Sequence, residues 1–283
     1  QLSFSRDAER EADRIGFQIL KDGGYDTAGM LAFFGRMQHA SRNYTDNGLS
    51  YLRSHPLTGE RMADIQGRLF GERYRQRVDG LDFYLTQARV RVLQDSKAQG
   101  LMDATVAFDN QIKNGNEESR LSGQYGLAFV AYKKNDFLKA EKLLDALTAQ
   151  IAQLPNQKKW LKETSAFASL AIDIEMGKKR PDLAVAKAKI ALRDLPLARG
   201  LAHQYAEVLI EAKSYKEAEA FLRDQISLYR REAKLQHLLA KAYAAEGKQA
   251  LQHIALAEAY ALEGALPAAL AQLEIARLDP DVK

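Results

Sequence analysis

The stretch Leu201–Tyr229, "LAHQYAEVLIEAKSYKEAEAFLRDQISLY", decides the fold. Its apolar residues recur at helical spacing twice over. Leu201, Tyr205, Val208 and Leu209 mark one face of a first helix, and Ala218, Phe221, Leu222 and Ile226 one face of a second. The turn lies within "AKSYKEAEA", with Tyr215 just ahead of Ala218. A small side chain where two helices cross lets their backbones approach, and Ala218 is placed to do this. Equivalent alanines stand at Ala184, 34 residues earlier, and at Ala140, 44 earlier. Pro155, Pro196 and Pro280 close successive units, because proline cannot continue a helix. Helix pairs at such a period stack into a solenoid rather than a bundle, which has no fixed phase.

The unit resembles the tetratricopeptide repeat (TPR). Ala184, Ala188, Ala191 and Pro196 fit its positions, as do Leu127, Ala128, Phe137, Ala140 and Leu144. So do Leu256, Ala257, Tyr260, Gly264, Ala269, Leu273 and Ala276 in the last unit. One departure is informative: "LAKAYAAEG" (Leu239–Gly247) and "LAEAYALEG" (Leu256–Gly264) are near-copies 17 residues apart, half a period. The helix Lys248–Leu262 must therefore close one repeat and open the next. Leu81–Asn114 fits poorly and reads as an atypical first repeat.

Composition narrows the class. Of 283 residues, 46% are apolar and 28% charged, a globular balance. There is no cysteine, so neither a disulfide nor a thiolate metal site is available. No apolar run reaches the roughly 20 residues of a membrane span. The net charge of +4 is spread along the chain. The densest basic clusters, "RLFGERYRQR" (Arg68–Arg77) and "GKKR" (Gly177–Arg180), read as solvated surface, so nucleic acid is not an expected partner. The chain opens on Gln1, read as the cut end of a larger protein.

The first 80 residues are different in character. A helix over about Arg6–Asp22 stops at Gly23-Gly24. A second opens at Asp26 or Thr27 and carries Met30, Leu31, Phe33, Phe34 and Met37 toward a core. "SRNYTDNGLSYLRSHPLTGE" (Ser41–Glu60) reads as a loop, and helix resumes near Thr58 or Gly59. In the first helix, "AEREADRIG" (Ala8–Gly16) puts Glu9 and Asp13 on one face, four residues apart, while Glu11 points elsewhere. Such a pair is either a solvated face or part of a metal site.

The pattern Glu-x-x-x-Asp before "RIG" resembles the third zinc-ligand helix of the HtpX-type (gluzincin) metallopeptidases. "SHPLTGERM" (Ser54–Met62) resembles the Ser/Thr-His-Pro-Leu segment that follows that helix, especially in members with a TPR tail. The resemblance implies that Glu9 is a zinc ligand and Asp13 its outer-shell partner. It implies that His55 contacts the zinc, meets the substrate or blocks the water position. The family's His-Glu-x-x-His is not found in the sequence. The expectation is therefore an all-α protein: residues 1–80 as the helical remnant of a metallopeptidase domain, and 81–283 as a TPR α-solenoid. Zinc belongs to the intact protein, and this chain alone should neither hold it tightly nor hydrolyse anything. The resemblance implies the Gram-negative periplasm and the outer-membrane assembly machinery as location and partner. The array should bind protein or peptide, with Gln124, Lys134, His203 and Lys241 as candidate contacts. A non-enzymatic TPR scaffold or chaperone is the competing reading.

Overall fold

The computed structural model describes residues 6–43, 59–70, 72, 80–155 and 164–279. Among them lie fourteen helices and no strand. The chain divides into two units, Gln1–Val78 and Asp79–Lys283.

The first unit holds α1 (Arg6–Asp22), α2 (Ala28–Asn43) and α3 (Gly59–Leu69). Gly24 stops α1 in the left-handed conformation, with φ of 72°, so that the Tyr25 amide donates back to the Leu20 carbonyl at 2.9 Å. Asp26 then caps α2, its carboxylate accepting from the Ala28 amide at 3.0 Å. Helix α3 packs against both α1 and α2, and Phe17, Phe34 and Ile65 are buried, one from each helix. Two expectations need correction. Phe33 is 50% exposed, because neighbours on a helix point about 100° apart and Phe34 takes the inward position. Helix α2 also runs through Ser41–Asn43, where a loop was expected.

The second unit is a stack of helical hairpins. Its helices are α4 (Leu81–Gln94), α5 (Ala98–Asn114), α6 (Glu117–Lys133), α7 (Phe137–Ala152) and α8 (Ala166–Gly177). They continue as α9 (Pro181–Asp194), α10 (Arg199–Glu211), α11 (Tyr215–Leu228), α12 (Ala233–Ala245), α13 (Gln249–Leu262) and α14 (Leu266–Leu278). Each helix packs on the next, α4 on α5 least extensively. The first helices of successive hairpins also touch: α4 with α6, α6 with α8, α8 with α10, and α10 with α12. That is the solenoid pattern, in which first helices form the inner wall. Ala140, Ala184 and Ala218 are fully buried, each at the fourth position of its helix. The chain is an all-α TPR-type solenoid preceded by a small helical unit.

Five turns share one backbone device. Two residues past each of α6, α8, α10, α12 and α13 stands a left-handed residue: Asn135, Lys179, Lys213, Gly247 and Gly264, with φ between 59° and 79°. The following amide reaches back five positions, as from Ser214 to Leu209 and from Ala265 to Tyr260. Both turns flanking α13 are of this kind, and α13 packs along both α12 and α14. The 17-residue echo is thus a duplicated helix with its turn.

An L side chain in this conformation costs roughly 1–2 kcal/mol. Gly264→Ala should therefore lower stability by about that amount, while Lys213→Gly should raise it by up to ~1 kcal/mol. Shifts in urea midpoint check both; the same sign for both substitutions would contradict the turn assignment.

Candidate functional site

Glu9 and Asp13 lie one turn apart on α1, and both are buried. A solvated face is therefore excluded. Two buried like charges need a cation, and it comes from α3. Arg61 donates through Nε and Nη2 to the two oxygens of Asp13, each at 2.7 Å, and its Nη1 lies 2.9 Å from Glu9 Oε2. The guanidinium is itself buried, 5.3 Å from the centre of the Phe34 ring on α2. All three helices thus meet at one side chain. Around it, Arg10 pairs with Glu60 at 3.2 Å and Lys21 with Glu72 at 2.6 Å. Glu11 faces outward and pairs with Arg14, whose hydrogen bond holds the Glu11 carboxyl below its usual range.

The donor set tests whether zinc fits. Glu9 is a buried, oriented carboxylate and suits one ligand position. Among the described residues no group of three His, Cys, Asp or Glu side chains is gathered. The described residues therefore fit one corner of a zinc site. His55 lies outside the described residues.

In the array, the four candidate contacts lie on four elements. Gln124 is half-buried on α6, with its Oε1 buried and accepting no hydrogen bond. Lys134 is the exposed cap residue after α6, in a turn rather than on a helix face. His203 on α10 lies 2.7 Å from Glu232, which Arg199 also engages. Lys241 is exposed on α12. The structure does not bring these four together.

It does bring together a polar network along the inner wall. Arg89 on α4 donates to Tyr125 Oη at 3.2 Å and to Asp173 at 3.1 Å. Gln204 on α10 donates to Asp173 at 2.6 Å and to the Ser169 carbonyl at 2.9 Å. Arg89 also lies 4.7 Å from the Phe129 ring centre. Burial lifts the Asp173 carboxyl above its usual range, and Arg89 draws it back. Four first helices are tied by this network, whose members stand up to 115 residues apart, from Arg89 to Gln204. No local pattern in the sequence could have joined them.

The basic cluster "GKKR" also differs from its reading. The Lys178 side chain is largely buried and lies 2.6 Å from Glu141, fastening α8 to α7. Arg68 in the other cluster pairs with Asp64.

Residues 1–69 match the model of peptidase family M48. Over 97% of its length the chain is 30% identical to the Beta-barrel assembly-enhancing protease of Escherichia coli strain K12, of which it covers 53%. It is 27% identical over 96% of its length to the protein of the same name from Yersinia pestis, again covering 53%. The chain spans about half the length of these curated relatives. Among solved structures, YrrB, described as a TPR protein with an unusual peptide-binding site, aligns with 68% of this chain and 90% of its own. That alignment has 15% identity and a TM-score of 0.45.

Proposed function

We propose that this chain, with an M48 signature over its first 69 residues and the repeat array after it, is part of a zinc-dependent metalloendopeptidase. Glu9 is the zinc ligand this chain contributes. The buried, clamped geometry of Glu9 is the observation that carries the reading. A ligand carboxylate has to be held in one orientation before the metal arrives, whereas a surface acid does not. Zinc, when bound, supplies a Lewis acid and a water acidified toward neutral pH. The chain's own residues orient one donor and hold protein substrates. With Glu9 and at most His55 as donors and no His-Glu-x-x-His in the sequence, the chain alone is inactive and holds no zinc tightly.

The relatives' name makes outer-membrane β-barrel proteins, or the machinery that assembles them, the substrates and partners we favour. The periplasm is the matching location. The array supplies protein-recognising surface, as solenoids with an inner wall of first helices generally do. His55, from the same segment as Arg61, is assigned to contact zinc or substrate.

The test uses the full-length protein. Glu9→Gln should strip zinc and reduce chelator-sensitive cleavage of an unfolded β-barrel protein to background, because an amide is a far weaker ligand. Wild-type zinc content in that variant, by elemental analysis, would overturn the reading. A second reading, a non-enzymatic scaffold, draws on the repeat array, whose inner wall of first helices offers binding surface without any catalytic group. Charge reversal at Lys134 and Lys241 separates the two. A substrate arm loses cleavage of protein substrates more than of short peptides, and a scaffold loses partner capture with proteolysis untouched.

A further inference from the structure

We propose that Arg61 is the positioning residue of Glu9, and that Asp13 acts on Glu9 only through Arg61. This rests on the reading of Glu9 as the zinc ligand. The argument begins with the shape of the guanidinium, a rigid planar fork of donors. Asp13 takes Nε and Nη2 side-on, both at 2.7 Å, which fixes the plane and direction of the whole group. The N–H bonds of Nη1 are thereby fixed in direction, and Glu9 Oε2 lies 2.9 Å from that nitrogen. Phe34 lies 5.3 Å away, and all three ionic side chains are buried. Glu9 therefore cannot rotate without breaking a contact that a second acid holds in register.

The clamp orients Glu9 through contacts within the protein and so spares zinc the cost of ordering the carboxylate. Asp13 and Glu9 make no direct pairing in this arrangement; their four-residue spacing serves to place both within reach of one side chain from α3.

Lysine cannot replace this group. An ammonium is a point donor with no fixed plane, so it can hold Asp13 or Glu9 without setting the angle between them. The experiment measures equilibrium zinc affinity of the full-length protein by competition with a chromophoric chelator. Wild type, Arg61→Lys, Arg61→Gln and Glu9→Gln are compared, with folding checked by circular dichroism. Arg61→Lys should lose about 10–100-fold in zinc affinity, the range typical of removing a ligand's hydrogen-bonding partner. Arg61→Gln should lose at least as much; should it fail to fold, Arg61→Lys alone decides. Folded Arg61→Lys with wild-type affinity would overturn the inference. So would melting temperatures that fall equally with and without zinc, which is how a merely structural arginine behaves. If Glu9→Gln itself keeps zinc, the underlying assignment has failed. If Glu9→Gln loses zinc while Arg61→Lys keeps it, only the present inference has.

Discussion

Asp13→Ala is expected to cost the N-terminal unit about 3–5 kcal/mol, enough to unfold a unit of this size. The reason is what remains after the truncation. Arg61 keeps its full charge in a buried setting and loses both hydrogen bonds of the Asp13 fork. Among the described residues, Glu9 then has to compensate it through Nη1. Few apolar side chains hold this unit together, with Phe17, Phe34 and Ile65 the buried set among the described residues. Hydrogen exchange measured by mass spectrometry at α1 and α3 reads the effect in the N-terminal unit itself. A companion variant fixes the cause. Neutralising all three groups, as in Asp13→Ala with Arg61→Met and Glu9→Gln, removes every buried charge of the cluster and should recover part of the loss. A triple variant no better than the sum of its singles would mean that the three groups do not act as one unit.

This cluster also marks how far the sequence could be read. The spacing of Glu9 and Asp13 put both acids on one face, because helical geometry fixes neighbours four residues apart. Nothing local pointed to Arg61, 52 residues beyond Glu9, although it sits within the same "SHPLTGERM" segment that drew attention to His55. A tertiary ion pair has no periodicity to betray it. The array was more legible, since Ala140, Ala184 and Ala218 are small for one reason that recurs: two backbones cross there. Its left-handed turns could be seen only where glycine stood, at Gly247 and Gly264. Lys179 and Lys213 adopt the same conformation with nothing in their identity to announce it, whereas Asn135 belongs to the type that tolerates it best after glycine. Phe33 failed for the opposite reason: side-chain character suggested burial, and the helix phase denied it. Lys178 was read from its charge alone and turned out to be a buried tie between two helices.

Phe108→Ala is expected to destabilise the array by about 3–5 kcal/mol, the range for emptying a fully buried aromatic site. The ring reaches from α5 into α6 at a place where α6 has no side chain. A Cβ built on Gly126 would lie 2.5–2.6 Å from three atoms of the Phe108 ring, and one on Gly123 would lie 3.0 Å from the Phe108 carbonyl. Glycine inside a helix costs about 1 kcal/mol relative to alanine, so its presence here is explained by the ring rather than by the backbone. The two residues therefore make a pair whose sign can be tested. In the native background, Gly126→Ala has to push the ring out of a packed core; overpacking of this kind costs about 1–3 kcal/mol and outweighs the gain in helix propensity. In the Phe108→Ala background the obstruction is gone and room remains for a methyl group. There the same Gly126→Ala should stabilise, by ~1 kcal/mol from propensity together with some filling of the cavity. Urea midpoints for the four proteins of this cycle give the answer. Equal destabilisation in both backgrounds would show that Gly126 is required by its backbone and not by Phe108.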